Sequence, residues 1–262
     1  MSISRLYGKY KGLISQDRIR QTIVDAGLSI RHNDFYATRY SYDISYFKNI
    51  DNEHKAYWLG FIAADGCVKN PNKAGVKKLS LEVSSVDRGH LEKFKEDIKY
   101  TGEIRDYISN HDTSYSRIYV SNGSIANDLD TLGVHERKSL TIRFDDFDVP
   151  KHLMKHFIRG YFDGNGCITY AIRRPNRTTF KITICSTENM LRGIEQYLTP
   201  GRKIKKLDKR HKNDTDNYQL HIGGMNQVAY ALNYMYKDAD IYLQRKYNKY
   251  LEFLQVYNQS RA

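Results

Sequence analysis

The sequence predicts an α+β fold made of two pseudo-symmetric αββαββα repeats packed through a central pair of helices. Three observations carry this expectation. A nine-residue segment occurs twice, one hundred positions apart, as WLGFIAADG at 58–66 and IRGYFDGNG at 158–166, each followed by Cys and a β-branched residue. Within each copy small residues fall four apart (Gly60 and Ala64, Gly160 and Gly164), on one helix face, which lets two helices approach almost backbone to backbone. The strand, turn and helix signals that follow each copy also come in the same order.

Taken along the chain, residues 1–49 precede the repeats. There Ser15 caps a predicted helix over 16–26 that Gly27 stops, and the segment carries Arg18, Arg20, Arg31, Arg39 and Lys48. Repeat one spans 50–144, a linker (DDFDVP, 145–150) follows, and repeat two with a long C-terminal helix over 240–257 fills 151–262. After each motif comes a strand, a Pro-Asn-basic turn (71–73 and 175–177) and a second strand. The second strands alternate, with Leu79, Leu81 and Val83 on one side and Phe180, Ile182 and Ile184 in the other repeat, so one face of each is core.

A helix opens after each hairpin, at Ser85 before Asp87 and at Ser186 or Thr187 before Glu188, where a cap precedes an acidic first turn. A second hairpin is expected from 102–108 with 116–121 and from 202–208 with 218–223. Its last strand sets Ile118 and Val120 against Arg117 and Tyr119, and Leu220 and Ile222 against Gln219 and His221. Helices over 124–132 and 225–236 close the two units.

Forty-two Lys+Arg against 30 Asp+Glu give a net charge of +12, the footprint of a protein that neutralises phosphates. Hydrophobic residues at 40% suffice for a packed core. Cys67, Cys167 and Cys185 form neither a disulfide framework nor a zinc pattern, which points to a reducing intracellular setting, cytoplasmic or organellar alike. His152 and His156 stand at i,i+4 without a third ligand, so no zinc is expected and an exposed helix face is. Apolar runs fall far short of the roughly 20 residues that span a bilayer, so no membrane association is expected.

Each motif ends in a polar residue at the negative end of a helix dipole, where a carboxylate such as Asp65 is disfavoured unless a cation answers it. With the helices packed face to face, Asp65 and Asn165 arrive side by side and can hold a hard, oxygen-preferring cation. The carbonyls of Ala64 and Gly164, at fraying helix ends, are further candidate ligands. Asp163 lies about 200° around the helix from Asn165 and is not expected to take part.

On these two motifs and their separation, the chain resembles the LAGLIDADG homing endonuclease family in its single-chain, two-repeat form, over roughly residues 50–258. The resemblance implies two saddle-shaped antiparallel sheets whose polar faces line one basic groove on double-stranded DNA. It implies a monomer that hydrolyses phosphodiesters at a specific long site with Mg²⁺ or another hard divalent cation. Asp65 and Asn165 would be catalytic and metal-ligating, with Lys138 and Lys246, in Arg137-Lys138 and Arg245-Lys246, positioning water or stabilising the transition state.

On that arrangement the DNA contacts from repeat one are Lys69, Lys73, Lys77, Lys78, Ser80, Arg105, Arg117 and Tyr119. From repeat two they are Thr169, Arg173, Arg174, Arg177, Thr179, Lys181, Thr183, Lys203, Lys205, Arg210, Lys212 and His221. Residues 1–49 would add a DNA-contacting arm or brace repeat one.

Asn165 departs from the family pattern, which calls for an acid there. An amide keeps an oxygen but loses a charge, so cleavage in this form is expected to be impaired. Two rival functions follow: a binding-only protein for DNA or intron RNA, maturase-like, and a strand-specific nickase in which the Asp65 half stays active. Asp65 separates the first from an enzyme, because a protein without need of a metal has little reason to keep a carboxylate at a helix C-terminus.

Overall fold

The computed structural model describes residues 15, 18, 21–22, 25–26, 40–69, 77–109, 112–121, 123–173, 177–206 and 217–260, Arg173 and Arg177 by their backbone alone. They fall into two units, 1–39 and 40–262. In the first, residues 18, 21, 22 and 25 are helical and Ser15 Oγ accepts from the Arg18 N–H at 3.3 Å, the cap the sequence predicts.

The second unit carries the repeat twice. Repeat one runs α1 (Glu53–Asp65), β1 (Cys67–Lys69), β2 (Lys78–Ser84), α2 (Arg88–Asp97), β3 (Arg105–Ile108), β4 (Ser114–Val120) and α3 (Gly123–Thr131). Repeat two runs α4 (Met154–Asn165), β5 (Gly166–Arg173), β6 (Arg177–Ser186), α5 (Glu188–Leu198), β7 (Ile204–Lys206), β8 (Tyr218–Gly223) and α6 (Met225–Tyr236), closed by α7 (Gln244–Gln259). Each sheet is four-stranded and antiparallel, in the orders β1-β2-β4-β3 and β5-β6-β8-β7.

The alternation assigns the faces correctly. Leu79, Leu81, Val83, Ile118 and Val120 are buried under α2 and α3, as are Phe180, Ile182, Ile184, Leu220 and Ile222 in repeat two. Each such side chain removed from water contributes roughly 1.5–3 kcal/mol. Counting outward from the motifs, Cys67 pairs with Ser80 and Cys167 with Thr183, and Ser80 pairs with Tyr119 as Thr183 does with His221. Equivalent positions in β2 and β6 are therefore two residues further apart than the parallel runs of apolar residues suggest, because the second hairpin is longer. Side by side, the outward rows read Cys67–Ser80–Tyr119 against Cys167–Thr183–His221, and Glu82–Arg117–Arg105 against Cys185–Gln219–Lys205.

Thr187 caps α5, its Oγ1 accepting from Met190 N–H at 3.2 Å. The matching cap in repeat one is absent: Ser85–Asp87 form a 3₁₀ turn, and the Asp87 carboxylate accepts from Arg245 Nε at 2.8 Å instead of capping α2. The linker segment 145–150 is packed. Phe147 and Val149 are buried, Phe144 lies against Gly193 of α5, and Asn189 Oδ1 accepts from the Phe144 N–H at 2.8 Å. Residues 40–50 likewise pack on repeat one, where Tyr46, Phe47 and Ile50 are buried. Among the described residues no helix is long and apolar enough to cross a membrane.

Candidate functional site

The two motif helices touch through glycine notches. A Cβ on Gly60 would stand 2.0 Å from the Phe157 carbonyl oxygen, and one on Gly160 would stand 1.9 Å from that of Tyr57. No side chain can enter either notch, so α1 and α4 meet backbone to backbone, as the spacing of small residues predicts. Further along, a Cβ on Gly164 would meet Ala64 Cβ at 2.3 Å and Asp65 Cγ at 3.3 Å. Asp65 therefore lies against the last turn of the opposite helix.

Lys138 and Lys246 both reach this end of the pair. Lys138 leads a short 3₁₀ turn, Lys138–Leu140, and donates to the carbonyl of Gly66, which ends α1. Lys246, in the first turn of α7, donates to the carbonyls of Phe162 and Asp163 at 2.7 Å each, in the last turn of α4. Both side chains are buried, and each places a cation where a helix leaves its last carbonyls unpaired. Burial pushes the Lys246 ammonium down to about 8 and lowers Lys138 as well.

Asp65 is exposed at its own surface yet surrounded by protein on most sides, and this desolvation raises its carboxyl. The charges of Lys246, Lys138 and Arg245 oppose the rise. On the other helix the Tyr161 hydroxyl sits between Ser186 Oγ, 2.6 Å away, and the Asn165 side chain. Burial, with the Asp65 charge adding to it, pushes the Tyr161 hydroxyl up to about 12. Tyr161 escaped sequence reasoning, which read Ser186 only as a candidate helix cap. The available signal was Tyr161 standing where repeat one has Phe61, a hydroxyl added to an otherwise apolar position.

Asp163, though inside the motif, belongs to the scaffold, as the helical period predicts. Its carboxylate accepts from Tyr57 Oη at 2.8 Å, Tyr236 Oη at 2.6 Å and Leu243 N–H at 2.8 Å. One turn earlier Arg159, fully buried, donates to the carbonyls of Ile241 (2.8 Å) and Met235 (2.9 Å) and to Glu53 Oε1 (2.6 Å). His156 departs from the exposed face expected of it: it is buried, with Nδ1 3.1 Å from Arg159 Nη2.

Among the described residues no three His, Cys, Asp or Glu side chains gather as a metal site. The expected donors at the helix ends are the Asp65 carboxylate, the Asn165 amide and the carbonyls of Ala64 and Gly164. This set is all oxygen and suits a hard cation in kind. It supplies a single negative charge against the nearby cations of Lys138 and Lys246, so the remaining charge would have to come from bound phosphates.

The outward faces of the sheets carry most of the expected contacts. Lys69, Arg105, Thr169, Lys181 and Lys205 are exposed there, with Lys78, Tyr119, Thr179, Thr183 and His221 half-buried, and Lys203 is exposed just before β7. Ser80 shares the face but is buried. Two of the expected contacts are engaged within the chain. Lys77 sits on the helix side of its sheet and pairs with Asp130 of α3 at 2.7 Å, since it is one residue out of phase with Lys78. Arg117 faces outward but its guanidinium is held by Glu82 and by the hydroxyls of Tyr107 and Tyr119, both at 2.7 Å. Lys73, Arg174, Arg210 and Lys212 lie outside the described residues, and for Arg173 and Arg177 only the backbone pairing of β5 with β6 is described.

The arrangement is that of a two-repeat α+β protein with a carboxylate, an amide and two buried lysines at one end of a central helix pair. No family model and no curated protein matches the chain. Solved structures do. The LAGLIDADG meganuclease I-AabMI bound to uncleaved DNA matches at 13% identity and a TM-score of 0.54, over 80% of this chain and 92% of that one. The I-LtrWI LAGLIDADG homing endonuclease bound to target DNA matches at 14% and 0.55, over 80% and 92%. The LAGLIDADG homing endonuclease I-GzeII in complex with its DNA target matches at 12% and 0.54, over 80% and 91%. The fold of this chain is the LAGLIDADG homing endonuclease fold, with both repeats on one chain.

Proposed function

We propose that the protein is a site-specific endonuclease for double-stranded DNA, of the homing type, whose cleavage is weakened by Asn165. The observation that carries the reading is the convergence at one end of the helix pair. Asp65 lies against the turn that bears Asn165, and each helix exit is held by its own buried lysine. The DNA bound by the structural neighbours and the net charge of +12 support duplex DNA as the partner.

In the reaction, a water oxygen bonds to phosphorus as the water gives a proton to solvent, and one bridging P–O bond breaks, its oxygen leaving as a hydroxyl with a proton taken from solvent. A Mg²⁺ ion or another hard divalent cation, held by Asp65, Asn165 and the carbonyls of Ala64 and Gly164 together with phosphate oxygens, would supply charge neutralisation and activation of water. The chain's own part is positional. Lys246 uses two of its three N–H groups on carbonyls, and Lys138 one, which leaves N–H donors to orient water or to meet charge on the phosphoryl oxygens. Asn165 offers an oxygen without a charge, so its half of the site holds a cation less well.

The test starts from a randomised duplex library with Mg²⁺, sequencing the ends of cut or nicked products. On the site recovered, Asn165→Asp is expected to raise double-strand cleavage by orders of magnitude, and Asp65→Asn in that background to abolish it. A restored variant that cuts no better than the present chain would remove the impaired-enzyme reading. Preference for a structured RNA over any duplex would replace the endonuclease with an RNA-binding protein.

A further inference from the structure

The first sheet carries an acid in its basic outward face. Glu82, Arg117 and Arg105 share one row across β2, β4 and β3. Arg117 Nε donates to Glu82 Oε2 at 2.5 Å, Nη2 pairs with the same oxygen and donates to Tyr107 Oη at 2.7 Å, and Nη1 donates to Tyr119 Oη at 2.7 Å. The guanidinium carbon lies 4.7 Å from the Tyr107 ring centre and 5.3 Å from that of Tyr119. Of five N–H groups one is left, whereas the usual arginine contact with guanine takes two from one edge.

Tyr119 is placed differently. Its oxygen already accepts from Arg117, so its own hydrogen points elsewhere, while the Tyr107 hydroxyl also faces Glu82. The Tyr119 backbone carbonyl is itself held by Tyr100 Oη at 2.7 Å, which fixes the strand at this residue. Its row, Cys67–Ser80–Tyr119, is the first beyond the motif glycine Gly66. The equivalent positions of the second sheet lack the device: Gln219 faces Cys185 at 3.4 Å, and His221 faces Thr183 at 3.3 Å.

We propose that Tyr119 is the specificity-determining residue with which the first sheet reads one base pair, and that Arg117 and Glu82 are positioning residues that aim its hydroxyl. The inference rests on the reading of the chain as a DNA-binding protein. A lone O–H donor matches an acceptor on the major-groove edge, purine N7, guanine O6 or thymine O4, and rejects cytosine, whose edge offers only an amino group. Glu82 cancels the charge that would otherwise draw Arg117 to any phosphate, so this row trades general attraction for discrimination.

The experiment is binding selection of the full chain from a randomised duplex library without divalent ions, for the parent, Tyr119→Phe and Glu82→Gln, with thermal unfolding as the check on folding. Tyr119→Phe should flatten the preference at one position by about tenfold, with the preferences at the other positions kept. Glu82→Gln should raise affinity for all duplexes several-fold and flatten the same position. A Tyr119→Phe variant that weakens all sequences alike would make Tyr119 a phosphate contact and overturn the proposal. So would a Glu82→Gln variant that sharpens preference, which would make Arg117 the reader. A parent chain that enriches no sequence at all overturns the DNA-binding reading itself, and this inference with it.

Discussion

The two motif helices are alike where they touch each other and unlike everywhere else. Their glycine notches are mutual, but behind them α1 presents Ala56, Leu59 and Ala63 where α4 presents His156, Arg159 and Asp163. The difference follows from what each must cover. Behind α1 lie the rings of α2, with Phe94 4.9 Å from Trp58. Behind α4 lies the turn that leads into α7, whose carbonyls at 235 and 241 and N–H at 243 need partners once buried. Pseudo-symmetry is thus a property of the shared contact, while the polar residues of α4 serve two partners at once: the segment leading into α7, and Glu53 and Tyr57 of α1.

The strongest way to break the comparison is at the contact. Gly60→Ala and Gly160→Ala each drive a Cβ onto a carbonyl oxygen and should each cost at least about 3 kcal/mol in urea unfolding. Unequal losses would mean that the notches are not equivalent. Behind the contact, Asp163→Ala should cost about 3–5 kcal/mol, because it strands two tyrosine hydroxyls, a backbone N–H and the neighbouring Lys246 charge. Ala63→Ser, at the matching place on α1, adds one buried hydroxyl and should cost less, about 1–3 kcal/mol.

Acid probes two buried places beside the contact: His90 behind α1, and Glu53 of α1 where it meets the buried Arg159 of α4. His90, buried behind α1 among Tyr57, Trp58 and Phe61, has its pKa lowered to about 3 by desolvation, with Lys93, Lys246 and Arg245 adding to it. A base with a depressed folded pKa takes up a proton more readily when unfolded, so its contribution is whole above the unfolded value near 6.5 and is lost as pH falls toward 3. Burial alone would raise the Glu53 carboxyl, yet His156, the Asp240 N–H and the Arg159 charge hold it at about 2. Its contribution is present above the unfolded 4.5 and fades below it. Urea midpoints measured against pH should therefore decline first from about 6.5, and a His90→Phe variant should flatten only that upper part. The smallest effect expected is at Lys77. Lys77→Ala should lose under about 1 kcal/mol of stability and leave duplex affinity unchanged, whereas Lys181→Ala, on the outward face, should weaken binding and lower its salt dependence.

Much of this was legible in the sequence because it depended on period and repetition. The duplicated motif and its small residues at i,i+4 gave the helix pair, and alternation gave the sheet faces, since a one-residue change of phase turns a side chain to the other side. Lys77 shows the limit of reading charge by neighbourhood: it stands beside Lys78 in the chain and on the opposite side of the sheet. The lysines at 138 and 246 could be placed only through the family resemblance, because their partners are backbone carbonyls far away in sequence. The Arg117 clamp was hidden for a related reason. Nothing in Glu82, Tyr107 and Tyr119 marks them as neighbours until the strand register is known.

The mutual notches also act as a gauge. A slip of one residue along the helix pair would bring a side chain onto a carbonyl, so the axial setting of α1 against α4 has a single allowed value. Since each sheet leaves its own helix through a motif glycine, the separation of the two outward faces is set at that point too. On the proposed reading, a duplex whose groove spacing differs from this gauge must itself be twisted or bent to fit. The sequence between the two halves of a target would then be selected for how easily it deforms, without a single side chain touching it.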